Sequence, residues 1–330
     1  MTTSRSVLRA VAIVSVLPYI ALKTAWMAGS HLGIPEGSEL LDHERHTTLL
    51  VLNGVTLLMD AAVVVLALLF TRPWGRRVPA LLLVLPVWTA CGLLTPIMTG
   101  FPAQLVARAV GAGGGRADDT DGRGEFLAEW VYGVVYGGFI VQGLALGALF
   151  VPYARDRWGH LWRGRIADLP ERGPARTAQR RTAVLAAVLL LLPAAVHLLW
   201  AGGSATGLSE DRAGDRTGDF SVLETMFALF ALVTAVCLLM IAFRAGGRVR
   251  LAVPLALVWI GSATLACWGG WLTVAGLTAG DEAEAPTALM EMTYAVQVII
   301  GLLVLTAGAY FFGARRQAAG ADLAVECGTP

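Results

Sequence analysis

Eight stretches of this chain are apolar for about the length needed to cross a bilayer: residues 7–29, 47–70, 79–100, 127–150, 182–201, 220–243, 251–275 and 288–312. A hydrocarbon core about 30 Å thick takes roughly 20 residues of helix. Lipid offers no partner to a free backbone N–H or C=O, so a spanning segment is either a helix or part of a closed barrel. The strand alternation of a barrel, roughly ten residues per pass, is not found in these stretches. The sequence therefore predicts an all-α membrane protein with eight transmembrane helices. Composition agrees: 56% of the residues are apolar and 15% charged, where soluble domains run near about 45–50% and about 25%.

The first stretch follows Arg5 and Arg9 and so resembles a leader peptide. It reads instead as a span, because it is long and has a close copy later in the chain. Residues 26–34 run Trp-Met-Ala-Gly-Ser-His-Leu-Gly-Ile, and 200–208 run Trp-Ala-Gly-Gly-Ser-Ala-Thr-Gly-Leu, with Trp, Gly, Ser and Gly at the same offsets. Leu17-Pro18 matches Leu192-Pro193 with one residue of slippage. The fourth span opens Glu129-Trp-Val-Tyr132 and the eighth Glu291-Met-Thr-Tyr294. The third and seventh start after Pro79 and Pro254, and both carry Ala-Cys, at 90–91 and 266–267. Matches in the same order along four helices predict an internal repeat. The organisation expected is a four-helix repeat over 1–150, an Arg-rich linker over 151–181, a second repeat over 182–313 and a tail over 314–330. An even number of helices per repeat makes the two repeats parallel.

The 24 Arg outnumber a single Lys, and their distribution sets the orientation. With the N-terminus cytoplasmic, 18 Arg fall inside and six outside: Arg45, Arg108, Arg116, Arg123, Arg212 and Arg216. The positive-inside rule then places both termini and the 151–181 segment in the cytoplasm of a plasma-membrane protein. That segment, with Pro152, Pro170 and Pro174 and no long apolar face, reads as a solvated loop whose Arg attract anionic headgroups.

Ionisable residues inside a span carry a cost of a few kcal/mol and mark functional positions by default. Lys23, His197, Glu129, Glu224 and Glu291 all fall near the outer ends of their spans, with Asn53 at a similar level. Lys23 and His197 each lie three residues before the matched Trp, and Glu129 matches Glu291. Each repeat thus supplies one base and one acid to the same layer, which predicts a polar, outward-open, substrate-binding cavity. A plainer reading has Lys23 snorkelling to headgroups and the glutamates complementing helix N-termini. Asp60 lies near the middle of the second span, where neither explanation reaches. A deep lone acid suits proton coupling or a helix–helix hydrogen bond, with Thr56, Gln142 and Thr234 as candidate partners.

Other chemistry finds little support. Cys91, Cys237, Cys267 and Cys327 form no C-x-x-C pair and no disulfide framework. His43 and His46 have metal-ligand spacing but lack a fixed third ligand, so no metal is expected. Asp119-Thr120-Asp121-Gly122 lacks the bidentate Glu of a calcium loop. No Walker loop, Rossmann glycine pattern or G-x-S-x-G elbow is present. No cofactor and no nucleic-acid partner are expected.

Four plus four helices at this length resemble haem A synthases in outline. That family needs paired intramembrane histidines, whereas the comparable outer positions here carry Asn53, Glu129, Glu224 and Glu291, which argues against haem. The Arg-over-Lys bias and the Ala, Gly and Val richness resemble multi-pass membrane proteins of high-GC actinobacteria, a resemblance of composition and architecture only. Three classes of function remain: a carrier or binding protein for a small solute, an embedded enzyme acting on a lipid or isoprenoid, and a non-catalytic accessory or immunity protein. The expected partners are the bilayer and a small solute or lipid-like substrate.

Overall fold

The computed structural model describes residues 3–36, 46–111, 127–169, 174–214, 216–277 and 283–326. In chain order the α-helices are α1 (Thr3–Val14), α2 (Leu17–Met27), α3 (His46–Thr71), α4 (Ala80–Ala109), α5 (Glu129–Trp158), α6 (Pro174–Ala201), α7 (Glu210–Gly214), α8 (Gly218–Phe243), α9 (Ala252–Gly276) and α10 (Ala288–Glu326). With α1 and α2 taken as one span and α7 left aside, eight helices among the described residues are long and apolar enough to cross a membrane. Among the described residues the β structure amounts to one isolated bridge, Arg165 to Arg250.

Proline punctuates these helices unequally. Pro18 lies in the first turn of α2, where its missing N–H costs nothing, and α1 stops at Val14 just before it. Its sequence counterpart Pro193 lies inside an unbroken α6. Helix α4 absorbs Pro86, Pro96 and Pro102. Several helices also outrun their apolar stretches. Helix α5 continues to Trp158 and α6 begins at Pro174, so the connection between them is shorter than the 151–181 segment. Hydropathy marks where lipid begins, and the helical hydrogen-bond ladder does not stop there.

The chain divides into two compact units: Met1–Arg157 with Thr217–Asp219, and Trp158–Arg216 with Phe220–Pro330. In the first unit Leu22, Val131 and Val135 form a core flanked by Tyr19, Trp26, Tyr136 and Phe139. Towards the other end of α5, Phe70 of α3 packs on Phe150 and Tyr153. The Tyr153 hydroxyl donates to the Gly75 carbonyl at 2.9 Å and so pins the 3-10 turn Pro73–Arg77. Gly75 is obligatory there, since a Cβ would lie 1.9 Å from the Leu69 carbonyl oxygen.

In the second unit α6, α8, α9 and α10 pack through small residues. Ala183, Ala186, Ala187 and Ala194 of α6 and Ala231, Ala235 and Ala242 of α8 belong to one buried cluster with Leu190, Leu265 and Ile300. Small side chains let membrane helices approach closely enough for dispersion to hold them, because lipid supplies no hydrophobic drive between helices. A Cβ on Gly261 of α9 would lie 2.0 Å from the Thr234 hydroxyl of α8. The connection after α5 folds back onto this unit. Ile166 N–H donates to the Val249 carbonyl at 3.0 Å, and Leu251 N–H to the Gly164 carbonyl at 3.1 Å. Ile166 and Leu169 are buried against Leu251 and Phe311. Two apolar residues three apart suffice for this docking, although the segment has no long apolar face.

Helices α2 and α6 end in the same local structure. Trp26 Nε1 donates to the Leu32 carbonyl at 2.8 Å, and Trp200 Nε1 to the Thr206 carbonyl at 3.0 Å. Gly29 (φ 88°) and Gly203 (φ 89°) take the left-handed conformation that ends the helix. The next N–H then bonds back to the fifth residue before it, Ser30 to Ala25 at 2.9 Å and Ser204 to Leu199 at 3.1 Å, as in a Schellman cap. The Ser30 and Ser204 hydroxyls accept from Leu32 N–H and Thr206 N–H at 3.3 and 3.2 Å.

Candidate functional site

One turn before each of these caps sits a buried base. In the second unit it is His197, on α6. Its Nδ1 lies 2.5 Å from Glu224 Oε2 of α8, and its Nε2 lies 2.7 Å from the Gln297 side-chain amide of α10. All three residues are at most 5% exposed. The Gln297 amide nitrogen can only donate, so the ring proton of a neutral His197 lies on Nδ1, which donates to Glu224. Nε2 is then an acceptor, and the amide N–H of Gln297 fills it. The imidazole stacks on Phe227 at 5.3 Å and meets the edge of Trp200 at 5.6 Å. Gly269 of α9 makes room for this arrangement. A Cβ there would lie 2.8 Å from Gln297 Oε1 and 2.8 Å from the Tyr294 carbonyl oxygen. The histidine thus ties α6 to α8 and α10 through a chain whose polar ends are mutually satisfied.

In the first unit the buried base is Lys23, on α2. Its ammonium donates to the Thr56 hydroxyl of α3 and lies over the Tyr19 ring, 4.5 Å from the centroid. Thr56 in turn donates to the Asn53 carbonyl at 3.1 Å, so the half-buried Asn53 takes part through its backbone. Asp60, one turn further along α3, lies within electrostatic range of Lys23 and of the Tyr19 hydroxyl. Asp60 is 4% exposed, and its Oδ2 is buried without a hydrogen-bond partner. Among the described residues three further buried polar atoms of this unit lack hydrogen-bond partners, Arg9 Nη1 on α1, Trp88 Nε1 on α4 and Gln142 Oε1 on α5. An orphaned buried acceptor costs about 1–3 kcal/mol relative to a paired one.

The residues singled out by sequence divide accordingly. Lys23 and Asp60 share one cluster, and His197 and Glu224 share another. Glu291 is exposed in the first turn of α10, and both nitrogens of His197 are occupied by other groups. Glu129 opens α5, and its side chain lies outside the described residues, as do His43, the His46 side chain, the 119–122 segment and Cys327. Of the candidate Asp60 partners, Thr234 bonds the Phe230 carbonyl of its own helix at 2.6 Å. Among the described residues no three His, Cys, Asp or Glu side chains group as metal ligands. Gln297 and Tyr19 were not anticipated. An amide inside an apolar run was the available signal for Gln297, and the spacing Tyr19 to Lys23, four apart on one helix face, was the signal for Tyr19.

Compared with known proteins, the chain matches no family model, no curated protein and no solved structure.

Proposed function

We propose that this is a plasma-membrane carrier built from two parallel four-helix repeats, with both termini cytoplasmic, that binds a small solute in an outward-facing polar site and exchanges a proton at Asp60. The orientation rests on the Arg distribution. The repeat is supported by the shared cap at Trp26 and Trp200, where two stretches of chain repeat the same bonds and the same glycine conformations. The observation that carries the carrier reading is the Asp60 carboxylate. It sits deep in α3, within electrostatic range of the Lys23 ammonium, with its Oδ2 buried and without a hydrogen-bond partner. A residue kept only to tie helices together would have both oxygens satisfied. An open acceptor within electrostatic range of a cation is suited to taking up a proton or a polar ligand.

The test is a solute-jump measurement on proteoliposomes containing a trapped pH dye, with a panel of amino acids, sugars, organic amines and carboxylic acids. At least one solute should evoke a transmembrane current and an internal pH change. Asp60→Asn should abolish the pH change while the protein stays monodisperse in detergent. A silent panel, or coupling that survives Asp60→Asn, would sink the carrier reading.

A second reading has its own support. The His197–Glu224–Gln297 chain is closed on itself, as expected of polar groups that fix helix register in an accessory protein. Under that reading Asp60→Asn and Lys23→Met change stability alone.

A further inference from the structure

A shallow groove of about 430 Å³ runs along α6 in the second unit, lined by Arg180, Arg181, Val184, Leu185 and Val188. The spacing explains its shape. Arg180, Val184 and Val188 form one row at four-residue intervals, and Arg181 and Leu185 form the row beside it. From Arg180 to Val188 the helix rises about 12 Å, close to the depth of one leaflet's hydrocarbon. The groove therefore has two cations at one end and an apolar floor below them. Val184, Leu185 and Val188 are all exposed.

The cationic end is held in place from behind. Arg180 Nε donates to the Ala242 carbonyl at 3.1 Å, and Arg176 donates through Nη2 to the Ile241 carbonyl at 2.9 Å. Both carbonyls belong to the last turn of α8, whose outward C=O groups have no helical partner. The Arg180 guanidinium also lies over the Phe243 ring at 5.8 Å. These anchors use one donor of each Arg and leave the remaining N–H groups to other partners. Arg176 is buried, and its Nε has no hydrogen-bond partner. Among the described residues no carboxylate forms an ion pair with Arg176, Arg180 or Arg181.

We propose that this groove is a binding site for an anionic phospholipid, with the phosphate on Arg180 and Arg181 and one acyl chain lying along Val184, Leu185 and Val188. Charge complementarity selects the headgroup. A guanidinium pairs with phosphate through parallel N–H donors, whereas a zwitterionic headgroup brings its own cation to the same place. The apolar floor selects a lipid over free phosphate, because phosphate gains nothing from three exposed aliphatic side chains. Preorganisation by the α8 carbonyls distinguishes this site from diffuse attraction to scattered surface Arg. The site is independent of the carrier reading, since none of its residues belongs to the Lys23 or His197 clusters.

The test is native mass spectrometry of the full chain released from detergent with added phosphatidylglycerol or with phosphatidylcholine of the same acyl chains. Phosphatidylglycerol should be retained at least ten-fold more strongly. Arg181→Gln, which touches no α8 carbonyl, should cut that preference several-fold, and Arg180→Gln/Arg181→Gln should remove it. Val188→Trp should weaken retention of both lipids by blocking the floor. Arg72→Gln/Arg77→Gln, two exposed cations of the other unit, removes the same charge and should leave the preference intact. Retention of phosphatidylglycerol unchanged in Arg181→Gln and in Val188→Trp would overturn the site. So would an equal loss in the Arg72→Gln/Arg77→Gln control, which would show attraction by net charge alone. Displacement of bound lipid by millimolar inorganic phosphate would show an ion site in place of a lipid site.

Discussion

His197 Nδ1 meets Glu224 Oε2 at 2.5 Å inside a bundle of helices long and apolar enough to span a membrane, with both residues almost wholly buried. Such a pair is costly to break from one side, because the surviving partner stays where it cannot be solvated. His197→Leu should lower stability by about 3–5 kcal/mol, the range for an orphaned buried charge. His197→Leu/Glu224→Leu should recover much of that loss. Unfolding by detergent or denaturant titration on the single and double variants closes the cycle. A coupling energy below about 0.5 kcal/mol would mean that the two residues do not act as a pair.

Gln297 should be worth less than Glu224. Gln297→Leu removes a neutral donor from His197 and should cost about 1–3 kcal/mol, the penalty for an unpaired buried nitrogen. Gly269→Ala should reproduce part of that loss while leaving His197, Glu224 and Gln297 themselves unsubstituted, since its Cβ would fall 2.8 Å from Gln297 Oε1 and displace that side chain. Gly270→Ala provides the contrast, because its nearest neighbour is a Val298 methyl at 3.8 Å. Thermal shifts of the two alanine variants should differ clearly, with only the first below wild type.

The helix caps make a third prediction. Gly29→Ala and Gly203→Ala each force a residue with a Cβ into φ near 88° or 89°, at a cost of about 1–2 kcal/mol. Nothing else stands within 4 Å of either Cβ, so the backbone alone sets the loss. Trp200→Phe should cost more than Trp26→Phe, since the Trp200 side chain is the more deeply buried of the two. Unfolding midpoints of the four variants check both statements.

Orientation is tested by chemistry on one exposed turn. His160→Cys, made in a variant lacking the native cysteines, should resist an impermeant maleimide in intact cells and react after permeabilisation. Labelling from outside in intact cells would reverse the assigned topology.

The spans were legible because bilayer thickness fixes the length of an apolar run, and that constraint acts on each segment alone. Helix ends beyond the bilayer were not, as α5 and α10 show by running past their apolar stretches. The polar candidates were legible as types, since Lys23, Asp60, His197 and Glu224 all stand out against apolar neighbours. Their pairing was not. Matching Glu129 to Glu291 made those acids the obvious partners, yet His197 is bound by Glu224 and Gln297. Which side of a helix faces which neighbour depends on packing of small residues, and Ala186, Ala231 and Gly261 look alike in sequence whether they face protein or lipid.

Gly261 and Gly269 also say something about the history this gene can have. Every single-base missense change of a glycine codon introduces a residue that carries a Cβ. At these two positions the added carbon would fall 2.0 Å from the Thr234 hydroxyl or 2.8 Å from Gln297 Oε1. Neither site has a mild neighbour in the genetic code, so α9 can change at these two positions only after the helix facing each of them, α8 or α10, has changed first.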